Sequence, residues 1–386
     1  MGDLDPSLYF DHSATTPPRP EVLAAFQKAA TEAWGNPSSL HSWGQRAAIA
    51  VEIARQQVAT LIGAAPERVV FTSGGTESDN LAIVGIARQF ESPQHLIISS
   101  VEHAAIAKPA LYLESQGWQV TRLPVNEQGQ VSSFVLADAI QPDTVLVSVI
   151  HGQSEVGSVQ PIADMAEICR EAGVLFHSDC VQTAGRLPLD VDKLGVDLLS
   201  MSSHKLYGPQ GVGALYVRDG VDIAPVALGG KQEATLRAGT QAVPSIAGFG
   251  VAAELAQQEL REEAQRLRGL QAQLAEAIAA IDGLVATGPT DLDDRLPHHL
   301  SYCTDRHTGT WLVTQLNLAG FAVSAGSACS SGELQPNPTL LASGFSEQQA
   351  LGAIRIAMGK ATTEGAIVRL AETLQVLMAS APMSVS

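Results

Sequence analysis

The chain has 386 residues, 45% of them hydrophobic and 16% charged, with 34 glycines and a formal net charge of −17. That is enough chain for a large core, with room for two domains, and its composition is that of an ordered α/β enzyme, not of a disordered or fibrous chain. The acidic balance, with no basic stripe to neutralise phosphates, argues against nucleic acid and an anionic membrane surface as partners.

In chain order, Leu8-Tyr9-Phe10 is a short apolar run closed by a polar loop, Asp11-His12-Ser13-Ala14-Thr15-Thr16-Pro17-Pro18. Residues 21–34 have helix composition and stop at Gly35-Asn36-Pro37. A second helix is expected over 44–62, with Ile49, Ile53, Val58 and Leu61 at helical spacing and Gly63 as its cap. From Val69 strands alternate with helices. Val69-Val70-Phe71-Thr72 leads through Ser73-Gly74-Gly75-Thr76-Glu77-Ser78 to a helix from about residue 79. Further strands read at 96–98, 118–121, 145–150, 174–176, 198–199 and 214–217. That alternation implies βαβ units and a mostly parallel sheet wrapped by helices, with ligands at the strand C-terminal ends. Residues 251–281 form a long helix whose Leu267, Leu270, Leu274, Ile278 and Ile281 make one apolar stripe. It is read as the connector into a smaller α+β domain, which gives a large domain over 15–250 and a small one over 251–386 plus 1–14.

Four cysteines, Cys169, Cys180, Cys303 and Cys329, are too few and too scattered for a disulfide framework, and their spacing fits no zinc motif. No metal is expected. The acidic start lacks the apolar centre of a secretory signal, and no apolar run approaches bilayer length, so a soluble, cytoplasmic protein is expected.

The chemistry centres on Ser202-Ser203-His204-Lys205, just past the strand Leu198-Leu199. A lysine there, walled by apolar neighbours, is disfavoured as an ammonium, and a neutral amine is what a Schiff base requires. Upstream, Phe176-His177-Ser178-Asp179 ends another strand in an acid. An aldehyde cofactor on Lys205, with Asp179 holding its ring nitrogen protonated, is the electron sink of pyridoxal phosphate chemistry. Gly75 and Thr76 open a helix after a strand, which is either a tight turn or a phosphate site, and the lysine and acid favour the phosphate. His103 follows the next strand and can stack on a planar ring, pass protons or simply be hydrogen-bonded. Arg355, alone between apolar residues, either grips a substrate carboxylate or joins a structural ion pair. Cys329 lies among small residues, Gly326-Ser327-Ala328-Cys329-Ser330-Ser331-Gly332, where a thiol is expected to be mobile, exposed and nucleophilic.

These residues resemble, over nearly the whole chain, the cysteine desulfurase family of the class V aminotransferase group, fold-type-I pyridoxal 5′-phosphate enzymes. Asp11-His12-Ser13-Ala14-Thr15-Thr16-Pro17 and Gly35-Asn36-Pro37-Ser38-Ser39 match its N-terminal motifs. The resemblance implies phosphate contacts from Thr76, Ser202 and His204, and ring stacking by His103. It implies a ring-hydroxyl hydrogen bond from Gln182, a substrate-carboxylate site at Arg355 and sulfur acceptance by Cys329. Thr240, in Arg237-Ala238-Gly239-Thr240, resembles the threonine that reaches the phosphate in a neighbouring subunit, implying a homodimer. The segment after Cys329 resembles the subgroup serving iron–sulfur cluster assembly. The implied reaction takes sulfur from L-cysteine, leaving L-alanine and an enzyme persulfide for an acceptor such as an iron–sulfur scaffold protein. Selenocysteine lyase shares these residues, and a class V aminotransferase would need Lys205 and Asp179 without the thiol. Two departures stand out: Ser154 replaces the family asparagine that contacts cofactor and substrate, and Ala234-Thr235 replaces an Arg-Gly pair.

Overall fold

The computed structural model describes residues 4–326, 329–330 and 333–380. Two N-terminal helices, α1 (Pro20–Glu32) and α2 (Ser42–Leu61), lead into strand β1 (Val69–Thr72). There follow α3 (Gly75–Ala87), β2 (His95–Ser99), α4 (Ala104–Ser115), β3 (Gln119–Leu123), α5 (Ser133–Ala139) and β4 (Thr144–Ser148). Then come α6 (Ile162–Ala172), β5 (Leu175–Asp179), α7 (Val191–Leu194), β6 (Leu198–Ser202) and β7 (Gly213–Val217). These seven strands form one sheet in the order β1-β7-β6-β5-β4-β2-β3, parallel from β6 through β3 and antiparallel on both sides of β7.

Strands β1, β2, β4 and β7 are rich in apolar residues because both faces of the sheet are covered there. Phe71, Ile97, Val147, Phe176 and Leu199 point to one core with α2 and α6. Their neighbours Val70, Leu96, Ile98, Leu146 and Leu198 point to the other, under α3 and α4.

Helix α8 (Val243–Ala279) runs from this body into a second core, where Leu267, Leu270, Leu274 and Ile278 are buried as their stripe implies. It starts eight residues earlier than expected, since Pro244 sits in the first turn, where proline costs no hydrogen bond. The rest comprises β8 (Val285–Ala286), β9 (His299–Cys303), α9 (Gly309–Leu318), β10 (Ser324–Ala325) and the short pair β11 (Cys329–Ser330) and β12 (Glu333–Leu334). It closes with α10 (Pro338–Ala342), α11 (Glu347–Leu351), β13 (Ile354–Ala357) and α12 (Glu364–Met378). An antiparallel sheet, β10-β13-β9-β8, packs on α8, α9 and α12, and Leu8 and Phe10 join its core. Phe10 is tied on both sides, donating to Ala322 O and accepting from Ala357 N, each at 2.7 Å. That bond pair delivers the polar loop after it to the boundary between the two cores.

The expected face of α2 is corrected. Ile49 and Ile53 are 60% and 56% exposed, while Ala47, Val51, Ala54, Val58 and Leu61 are buried. Helix α8 packs closely against α2, and small residues permit that approach: Gly250 faces Ala54 so tightly that a Cβ on it would lie 2.6 Å from the Ala54 Cα. Helix α3 also begins earlier than expected, at Gly75, where a Cβ would lie 2.7 Å from the Val181 side chain. A Cβ on Gly213 would lie 2.7 Å from Gly74.

Candidate active site

Strand β5 ends at Asp179 and β6 at Ser202, and a single 3-10 turn, Ser203–Lys205, carries the lysine off the end of β6. Together with the start of α3 and the loop after β4 these ends line a cavity of ≈ 390 Å³. Lys205, Asp179, Gln182, Gly75, Thr76, Ser202, His204, His103, Ser154 and Arg355 all border it. Thr240 does not: it sits on an exposed loop. The Cys329 backbone pairs in β11 with Leu334, and its side chain lies outside the described residues.

Lys205 Nζ donates to the carbonyls of Ser13 and Ala14 at 2.5 and 2.7 Å. Burial, reinforced by the positive fields of Arg186 and Arg355, lowers its pKa to about 8, against the pull of Asp11 and Asp179. Asp179 is buried, and burial raises its pKa although it accepts from Val181 N at 2.9 Å and faces His103 and Lys205. A buried carboxyl of this kind is held ionised by a cation beside it, and a pyridinium nitrogen would supply one.

The phosphate end fits as well. Gly74, the residue before α3, gives the helix no side-chain cap, and α3 presents Gly75 and Thr76 to the cavity. An uncapped helix start with a hydroxyl alongside suits an anion. Glu77 in the same turn is balanced by Arg237 at 2.9 Å, so its charge does not repel one strongly. Burial lowers the His204 pKa to about 4, so this ring is neutral and holds Thr15 Oγ1 at 3.1 Å.

His103 caps α4, its Nδ1 accepting from Ala105 N at 3.1 Å. A neutral ring therefore carries its proton on Nε2, the nitrogen free to act as donor. Ligand atoms of His103, Asp79 and Asp179 lie within 4.8 Å of one another, a group that could hold a metal as well as border a ring. Gln182 is already engaged at both ends: its amide donates to Ser13 O at 2.8 Å and accepts from Arg186 at 2.7 Å. Arg355 on β13 combines both sequence readings, bordering the cavity while paired with Glu155 at 2.6 Å and Asp11 at 3.1 Å. Glu155 and Asp11 carried no assigned role in the sequence. Nor did Arg186, a buried cation that donates to the carbonyls of His12 and Lys205 and so ties the lysine turn to the N-terminal loop.

The aminotransferase class-V family model matches residues 8–370. The cysteine desulfurase IscS of Dictyoglomus turgidum is 43% identical over 359 residues, 92% of this chain and 91% of that protein. A solved NifS-like protein superposes with a TM-score of 0.90 at 35% identity, covering 96% of this chain and 99% of that one. SspA in complex with cysteine superposes with a TM-score of 0.81 at 33% identity, covering 92% and 99%. The matched range spans both sheets, and the chain belongs to the aminotransferase class-V family and, within it, to the cysteine desulfurases.

Proposed function

We propose that this cavity takes sulfur from L-cysteine, releasing L-alanine and leaving a persulfide on Cys329 for transfer to an acceptor protein. The observation that carries the reading is the gathering of a desolvated Lys205 amine, a buried Asp179 carboxylate and an uncapped α3 start in one cavity that Arg355 also borders. Pyridoxal 5′-phosphate held there supplies a ring that takes up the electron pair left at the substrate Cα. Asp179 would keep the ring nitrogen protonated, and His103, Gln182 and Ser154, which border the same cavity, would hold the ring. Gly75, Thr76, Ser202 and His204 would hold the phosphate. Arg355 binds the substrate carboxylate and so orients the Cα–H bond. Lys205, whose amine burial favours in its neutral form, would take the Cα proton. The Cys329 thiolate attacks the substrate sulfur; the S–C bond breaks, an S–S bond forms, and the carbon is reprotonated to alanine.

The same reading makes the protein a cytoplasmic homodimer whose Thr240 reaches the neighbouring phosphate, with an iron–sulfur scaffold as acceptor. It keeps the division into 15–250 and 251–386 plus 1–14. Large apolar side chains left exposed on and beside α1 and α2, Trp34 at 62%, Leu40 at 91% and Trp43 at 51%, support a partner surface. Among the described residues no helix is long and apolar enough to cross a membrane.

The test is to incubate the cofactor-loaded protein with L-cysteine and a reductant and to measure alanine and sulfide, expected in equal amounts. Cys329→Ala should keep the cofactor colour and lose sulfide release by at least about 10²-fold, the scale of a removed nucleophile. Equal sulfide release by that variant would remove the thiol from the mechanism.

Loading itself should depend on pH in a stated direction. Capture requires the neutral Lys205 amine, and its pKa is lowered to about 8. The capture rate of the cofactor-free protein should rise through about pH 8 and then level off. An unperturbed lysine would keep gaining neutral amine up to about pH 10.4. Stopped-flow absorbance at fixed cofactor concentration reads the inflection, and a rise continuing past pH 10 would contradict the desolvated amine.

A further inference from the structure

Arg355 meets the cavity with its charge already more than matched. One terminal nitrogen donates to Glu155 Oε1 at 2.6 Å and the other to Asp11 Oδ1 at 3.1 Å, while its buried Nε finds no partner among the described residues. A carboxylate is gripped through two neighbouring N–H groups. Either edge of this guanidinium includes a terminal nitrogen that already faces a protein carboxylate. A substrate carboxylate added to that arrangement would be the third negative group around one cation, in a site where burial weakens screening.

We propose that Glu155 is an internal counter-ion which the substrate carboxylate displaces from Arg355, so that Glu155 sets the stringency of amino-acid binding. The proposal rests on Arg355 as the carboxylate holder. Asp11 is the poorer candidate to leave, because its chain is laced into the fold: it bridges Ala357, and His12 N donates to Ala357 O at 3.2 Å. Glu155 is placed to move. It sits in the turn between β4 and α6, and its second oxygen accepts from Asn337 Nδ2 at 3.2 Å. Asn337 is fixed, since its Oδ1 caps α10 by accepting from Thr339 N at 2.9 Å and Leu340 N at 3.3 Å. When Oε1 leaves Arg355 the carboxylate keeps that amide and gains water, so no buried charge is stranded. Arg355 stays aimed meanwhile, held by Asp11.

Exchange of one carboxylate for another has a signature that simple bracing of the loop lacks. Glu155→Gln retains a neutral acceptor for Arg355 and a partner for Asn337 but removes the competing charge. In the cofactor-loaded protein, titrated by calorimetry with L-alanine, the Kd should fall about tenfold in this variant, a like-charge effect of ordinary size. L-alaninamide, which brings no negative charge, should bind both proteins equally. Arg355→Gln, measured alongside, should lose L-alanine binding by at least the same factor. If Arg355→Gln weakens L-alanine but Glu155→Gln does not tighten it, the counter-ion proposal is overturned and the Arg355 reading survives. If Arg355→Gln binds L-alanine like the parent, both are overturned. Should Glu155→Gln not fold, Glu155→Asp, too short to hold both Arg355 and Asn337, should tighten L-alanine in the same direction, and unchanged affinity there counts against the proposal.

Discussion

Lys205→Ala is expected to give a folded protein that carries no covalently held cofactor and forms alanine from L-cysteine at least about 10³-fold more slowly. The size follows from losing two roles at once, covalent attachment and proton transfer at Cα, where a positioned acid–base group alone contributes about 10²–10⁴-fold. Folding should survive because Lys205 is not locked into an ion pair: its ammonium is satisfied by two carbonyls, Ser13 O and Ala14 O, which water entering the cavity can satisfy instead. Its backbone carbonyl still accepts from Arg186 at 3.0 Å, so the turn keeps its tie to the N-terminal loop. Borohydride reduction followed by intact-mass measurement reads the result directly: the parent gains the mass of one reduced cofactor adduct, the cofactor less one oxygen, and the variant none. A variant that is labelled stoichiometrically, or that turns over within tenfold of the parent, would move the reactive amine elsewhere.

How much of this could be read from the sequence depends on how local each cause is. The strands were legible because a sheet covered on both faces needs consecutive apolar residues, and Val69–Phe71 and Leu198–Leu199 show that without further context. The cavity followed from topology, since parallel strands gather their C-terminal ends, and Asp179 and Lys205 both lie at or just past such ends. The start of α3 is hidden because Gly75, a poor helix former, stands where a Cβ would strike the Val181 side chain. The buried face of α2 is not legible because the helix has apolar residues on more than one side, and fit against α8, a tertiary property, selects Ala47 and Ala54 over Ile49 and Ile53. The carboxylates on Arg355 were least accessible. Asp11 approaches from the other end of the chain and Glu155 from the turn after β4, and no periodicity or spacing links positions so far apart. A lone arginine between apolar residues on a strand signals that partners exist, but not which.

Asp179→Asn should retain the cofactor on Lys205 and lower alanine formation by about 10³-fold. A carboxylate at ion-pair distance from a ring cation is worth about 4 kcal/mol at an effective dielectric of 20. That is close to three powers of ten in rate if it is realised where the ring must accept charge. Asparagine keeps the size and the hydrogen-bonding oxygen that receives Val181 N, so the loop leaving β5 keeps its geometry. It cannot hold a proton on the ring nitrogen by charge. The native carboxyl is itself disfavoured as an anion by burial, with Lys205 and His103 pulling the other way. The substitution therefore removes a charge that the fold bears at a cost, and thermal stability of the cofactor-free protein should rise or stay level while turnover falls. That opposition separates a functional role from a structural one, because a supporting residue would lose both together. The measurements are the melting temperature without cofactor and the rate of alanine formation with it. A variant that melts earlier and also turns over slowly would place Asp179 among the residues that hold the sheet ends together.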